Sequence, residues 1–105
     1  MDTIFDMFSN DRKIYPKKFS PHVSAWQIND VNEILEWLRT KEQVVLGGDL
    51  LNPQGGYTYD SWYYNYKDEK SLHHNINESV DVAKKYILDY ISNNGDDYYV
   101  VIVLK

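Results

Sequence analysis

Apolar residues at Val31, Ile34, Leu35 and Leu38 follow the i, i+3, i+4, i+7 spacing that lays one stripe along a helix. Trp37 falls beside that stripe and widens it. The helix is expected to start near Asn29 or Asp30, with Asp30 and Glu33 as a capping box, and to end near Arg39 and Lys41. A longer helical segment carries Leu72, Ile76, Ser79, Val80, Ala83, Ile87 and Ile91 on one face. Ser71 is placed to cap its start, and Asn94-Gly95 to end it. Residues 2–8 (DTIFDMF) predict a short apolar turn or helix. The stretch DRKIYPKKFSPH, with Pro16 and Pro21, predicts irregular chain, because proline removes a backbone donor and restricts the residue before it.

The remaining apolar runs have the length and bounding residues of strands. QVVLGGDLL (43–51) reads as a strand interrupted by Gly47 and Gly48, where a bulge or a close backbone approach is expected. NPQGG (52–56) is a turn, so 43–51 and 57–66 form a β-hairpin. YYVVIVL (98–104) is apolar on both faces and predicts a covered strand, placed antiparallel beside 43–51. The expected fold is a single α+β domain over residues 1–105. In it a small, mostly antiparallel three-stranded sheet, the hairpin plus the C-terminal strand, packs against two main helices, the longer one over one sheet face.

The chain suits one domain of 105 residues, which buries about two thirds of the surface of its unfolded chain. No apolar run approaches the ~18 residues of a membrane span, and the acidic start does not resemble a secretory leader. There are no cysteines, which excludes disulfide and thiolate chemistry and makes a cytoplasmic location the simpler reading. The net charge is −5. Residues 1–28 hold four bases and three acids, so the acidity lies in the rest of the chain. Arg12, Lys13, Lys17 and Lys18, the one basic cluster, read as a solvated loop rather than a nucleic-acid surface. An acidic body suits a basic protein partner.

Phosphate-loop, dinucleotide, nucleophile-elbow and zinc-protease motifs are all missing from the chain. His73 and His74 are adjacent on a helix, point about 100° apart and cannot converge on one metal. No metal, cofactor or catalytic residue is expected. Asp49, after two glycines, fits a bulge cap better than a general base, because no nucleophile or oxyanion device accompanies it. A small-ligand or hydrolytic domain using Asp49 and Asp60 beside a tyrosine platform is the competing reading.

Residues 57–66 read YTYDSWYYNY, holding six aromatics and five of the ten tyrosines of the chain. Period two sends Tyr57, Tyr59, Ser61 and Tyr63 to one face and Thr58, Asp60, Trp62, Tyr64 and Tyr66 to the other. One face can lie under the long helix, while the N-terminal apolar residues Ile4, Phe5, Phe8 and Phe19 are candidates to cover the middle of the strand around Trp62. Tyr64 and Tyr66 run into a charged loop with Asp68 and Glu69, so tyrosines and acids share an expected rim. Tyrosine and tryptophan carry much of the binding energy at protein interfaces, having large area and few rotors.

Taken in order, Ala25-Trp26, VVLGGDLL, YDSWYY, the helix SVDVAKKYILDY and the strand YYVVIVL resemble the bacterial immunity protein 40 family over residues 25–105. The resemblance rests most on Gly47, Gly48 and Asp49, and on Tyr59, Asp60, Trp62 and Tyr63. Its members are encoded beside polymorphic toxins and neutralise them. It implies a non-enzymatic protein that binds a cognate toxin, a basic nuclease fitting the acidic surface best. No direct contact with nucleic acid or membrane is expected, and the protein itself is expected as a monomer or weak homodimer. The expected partner-binding residues are Asp49, Asp60, Tyr64, Tyr66, Asp68 and Glu69. Gly47, Gly48, Tyr59, Trp62 and Tyr63 are expected to be structural.

Overall fold

A computed structural model describes residues 3–105. The elements run α1 (Ile4–Arg12), β1 (Lys17–Ser20), β2 (Val23–Gln27), α2 (Val31–Thr40), β3 (Val45–Leu51), β4 (Tyr57–Tyr63), α3 (Leu72–Asn94) and β5 (Tyr99–Leu104). The sheet has five strands in the order β1-β2-β5-β3-β4, every neighbouring pair antiparallel. The expected three-stranded sheet with two main helices is therefore corrected to five strands and three helices. The expected place of the last strand, antiparallel beside β3, is where β5 lies.

The two additional strands come from the stretch read as irregular chain. Pro16 and Pro21 bracket β1 rather than interrupt it, and a turn at Pro21-His22 leads directly into β2. An edge strand loses no ladder bond to a proline just outside it. Lys17 and Lys18, read as part of a solvated loop, belong to β1. The third helix, α1, has a reciprocal cap: the Asp6 amide donates to Thr3 Oγ1 (3.1 Å) and the Thr3 amide to Asp6 Oδ2 (3.0 Å). Residue 2 lies outside the described residues.

At α2 the expected Asp30–Glu33 capping box is not formed. A single 3-10 turn, Ile28–Asp30, precedes the helix, and Asp30 already has helical backbone angles and makes no capping bond. Gln27 Oε1 accepts from the Asn29 amide (2.7 Å) instead. Burial, with the nearby Glu33 charge, raises the Asp30 carboxyl above its ordinary pKa. The caps of α3 are as expected: Ser71 Oγ accepts from the His74 amide (3.0 Å), and Gly95, at φ 86°, donates to Ile91.

All three helices share one core with one face of the sheet. Phe8 meets Trp26 and Trp37 edge-on at 5.6 and 5.4 Å. Val31, Ile34, Leu35, Trp37 and Leu38 from α2, and Val80, Ala83, Ile87 and Tyr90 from α3, pack with Leu50, Val100 and Ile102 from the sheet. On the outer side α2 and α3 are tied by charges: Glu36 takes Arg39 at 3.0 Å and Lys84 at 2.6 Å, and Arg39 reaches Asp81 at 2.7 Å. These bonds, Arg39 first and then Lys84, hold the Glu36 carboxyl down to about 2.

Among the described residues the other sheet face carries no helix. Its β1–β2 end is covered by side chains of its own, with Phe19 edge-on to Tyr99 at 5.0 Å and the Lys17 ammonium over both rings. The β3–β4 end is open.

Candidate functional site: the helix-free face of the central hairpin

Asn52 builds the turn that joins β3 to β4. Its side chain accepts from the amides of Gln54 and Gly56 (2.9 and 3.0 Å), and Gly55 takes a left-handed φ of 87°. In register, Gly47 faces Tyr63, Gly48 faces Trp62, and Asp49 faces Ser61. The next pair is Leu51 with Tyr57, so β4 fits two extra residues opposite Leu50 and bulges around Tyr59. Tyr59 has φ 67°, uncommon for any residue but glycine, asparagine or aspartate.

This register decides which rings are covered. Trp62 is 8% exposed and stacks on Tyr86 of α3 at 5.2 Å, so the long helix covers the middle of the strand. The N-terminal residues Phe5 and Phe8 pack on Trp26 instead, and Phe19 on Tyr99. The Trp62 indole Nε1–H is buried and has no hydrogen-bond partner among the described residues. Tyr57, Tyr59 and Tyr63 are 54%, 95% and 72% exposed. Val103 on β5, expected in a covered strand, is also exposed.

The six expected partner-binding residues are not brought together. Asp49 lies on the helix-free face opposite Ser61. Asp60 points the other way, toward α3, where Tyr90 donates its hydroxyl to Asp60 Oδ2 at 2.9 Å. Burial, and then this bond, push the Tyr90 phenol up to about 12. Two carboxylates on opposite sides of the sheet do not form a catalytic pair. Tyr64 is 3% exposed in a small second cluster with Val44 and Ile76, with Leu46 and Tyr66 against it. Its hydroxyl meets Asn75 Oδ1 (2.8 Å) and Glu78 Oε1 (3.0 Å). Burial, then Glu78, raise its pKa. Lys67 pairs with Glu78, and chiefly this bond lowers the Glu78 carboxyl. Tyr66 is half-buried under the Lys105 ammonium, 4.6 Å from its ring centroid. Asp68 and Glu69 are exposed in the turn before α3.

The open end of the helix-free face has a hollow of about 260 Å³, lined by Leu46, Gly47, Asp49, Ser61, Tyr63 and Val103 among others. Among the described residues no group of three or more histidines or acids is placed to hold a metal ion. No helix there is long and apolar enough to cross a membrane.

A family model described as Immunity protein 40 matches residues 17–104. The chain belongs to that family. The match begins at β1, so the N-terminal hairpin is part of the immunity protein 40 region rather than outside it. A search of curated proteins returned no match. Within this family framework the expected motif residues divide by role. Gly47, Gly48 and Trp62 are a packing unit, whereas Tyr59 and Tyr63 hold their rings in solvent. Alternation had already put Tyr57, Tyr59 and Tyr63 on one side. What it lacked was the knowledge of which side the helices take. Val103 carried no such signal, because YVVIVL is apolar at every position.

Proposed function

We propose that this protein neutralises a toxin encoded beside it by binding it, without catalysis, through the helix-free face at β3 and β4. The observation that carries this reading is the pairing of exposed rings with one sign of charge. Residues 43–66 hold not one lysine or arginine, Asp49 lies on this face opposite Ser61, and Tyr57, Tyr59 and Tyr63 stand in solvent. Exposed tyrosines provide contact area at little entropic cost, and an acidic surface steers a basic partner. A basic nuclease, met in the cytoplasm, is the toxin class that fits.

In this reading Asp49 belongs to the contact surface. Tyr66, Asp68 and Glu69 extend it past the end of β4 into the turn before α3, and Tyr64 supports it from the core. Asp60 helps to hold the strand through Tyr90. The test is co-expression with the C-terminal toxin domain encoded by the neighbouring gene, together with surface-plasmon binding of the purified pair. Growth rescue by wild type, lost on Tyr59→Gly with Tyr63→Ala in a protein that still melts like wild type, supports the reading. Full rescue by that double variant overturns the assignment of the face.

A further inference from the structure

The hollow at Gly47 has walls of four different kinds. Gly47 contributes no side chain, and its cross-strand neighbours Tyr63 and Val103 stand on either side of the gap. One residue pair further along the same face, Asp49 is flanked by Ser61 and Val101. The hollow therefore offers an aromatic ring, an aliphatic wall, a carboxylate and a hydroxyl around about 260 Å³. Among the described residues no ion pair and no side-chain hydrogen bond engages Asp49. With no base anywhere in residues 43–66, its charge is not answered from within the hairpin.

We infer that this hollow receives one arginine side chain of the toxin, an inference that rests on the binding role proposed above. The guanidinium lies against the Tyr63 ring and donates to Asp49, and Val103 packs the aliphatic stem. Each element matches a property of arginine. The planar cation stacks on aromatic faces, its donor fork fits a carboxylate, and its methylenes cover apolar surface while the head stays polar. A lysine ammonium is compact and strongly hydrated, and it uses the ring and carboxylate less well. A drug-sized ligand usually needs a pocket of about 300–1,000 Å³, more than this hollow supplies. One carboxylate is too few oxygen ligands for a calcium or magnesium ion.

Two measurements test the assignment. In the first, ¹⁵N-labelled protein is titrated with N-acetyl-arginine amide, N-acetyl-lysine amide and N-acetyl-norleucine amide. Saturable shifts are expected at the amides of Gly47, Asp49, Tyr63 and Val103 with the arginine amide, weaker shifts with lysine and none with norleucine. Asp49→Asn is expected to abolish them. No saturable shift, or shifts that survive Asp49→Asn, overturns the inference. In the second, Val103→Lys places a cation beside Gly47 from within the chain, and Leu88→Lys, which adds the same charge at an exposed position on α3, serves as control. Val103→Lys should weaken binding of the neighbour-encoded toxin about tenfold or more, with Leu88→Lys close to wild type and both melting normally. Equal affinity for Val103→Lys and wild type overturns the socket and leaves the binding role standing. If wild type binds no neighbouring toxin, the binding role falls and the titration still decides the socket.

Discussion

The Trp62 ring lies where a side chain on Gly48 would have to be. The two residues are cross-strand partners, and a Cβ on Gly48 would overlap the ring carbons of Trp62 and the carbonyl of Val101. Gly47 is constrained as well, by a φ of 155° and by the Trp62 carbonyl that a Cβ would meet. Gly48 thus leaves room for the indole under Tyr86, which in turn stacks with Tyr90 at 6.1 Å, while Gly47 lets the two strand backbones approach.

Trp62→Ala is accordingly expected to cost ~3–5 kcal/mol, and Gly48→Ala ~1–3 kcal/mol, in denaturant unfolding. Trp62→Phe should cost less than Trp62→Ala. It keeps an aromatic ring and removes an indole N–H that is buried without a partner. A Trp62→Ala protein that melts like wild type and loses only toxin binding would move Trp62 from the core to the interface.

Tyr59 combines a left-handed backbone with a ring that is 95% exposed. Relieving the backbone with Tyr59→Gly removes almost no packing and should leave stability unchanged or raise it by up to ~1 kcal/mol. If the ring belongs to the proposed contact surface, the same change should weaken toxin binding while leaving the fold intact. Calorimetry and binding measured on one preparation check the pair of effects. A Tyr59→Gly variant that melts well below wild type would show a structural role for the ring.

Tyr64 should respond in the opposite way. Its buried hydroxyl meets Asn75 and Glu78, so Tyr64→Phe is expected to cost ~1–2 kcal/mol, and Tyr64→Ala ~3–5 kcal/mol with poor soluble yield. Toxin affinity per folded molecule should change little for Tyr64→Phe. A large rise in off-rate with unchanged melting would place the ring at the interface.

The helical half of this molecule was legible because its signals are local. Val31, Ile34, Leu35 and Leu38 are all buried at their expected spacing, and Ser71 and Gly95 cap α3. What failed was also local, but ambiguous. Two prolines near a strand look like two prolines in a loop, and only the pairing of Lys17 with Ala25 distinguishes them. Asp30 with Glu33 forms no capping box because a 3-10 turn had already committed Asp30 to helical angles; the capping box that forms is Thr3 with Asp6 on α1. For the candidate site, alternation put Tyr57, Tyr59 and Tyr63 on one side of the strand, but the rings expected at a contact were Tyr64 and Tyr66, and Tyr64 is buried. The opposition of Asp49 and Asp60 depends on the docking of α3, which residue spacing does not encode.

Glu36 gives the fold a measurable acid limit. Its carboxyl drops from the usual 4.5 to about 2 through Arg39 and then Lys84. A carboxyl whose native pKa is depressed contributes stability that is complete above the unfolded value and is lost as the pH falls through the native one. Wild type should therefore lose stability between about pH 4.5 and pH 2, and Glu36→Gln should lose less over that window. The side chain is 44% exposed, so solvent screening reduces the expected difference to ~1 kcal/mol. Urea unfolding of both proteins at several pH values checks it. Parallel curves would show that the network adds nothing.

Asp68 and Glu69 sit beyond the hairpin, exposed in a turn closed by the Lys70 amide on the Lys67 carbonyl at 3.1 Å. No ion pair engages either carboxylate among the described residues. Charges placed this way act on encounter rather than on the docked complex, since water and salt screen them once partners touch. Asp68→Lys with Glu69→Lys should slow association with a basic toxin about tenfold at low salt, with little effect on dissociation. The deficit should shrink as ionic strength rises. Asp49→Asn, in the hollow beside Tyr63, should mainly speed dissociation. Surface-plasmon kinetics at two or more salt concentrations separate the two behaviours. An on-rate indifferent to the double reversal at low salt, in a protein that still melts normally, would mean that the toxin approaches from a side these acids do not face.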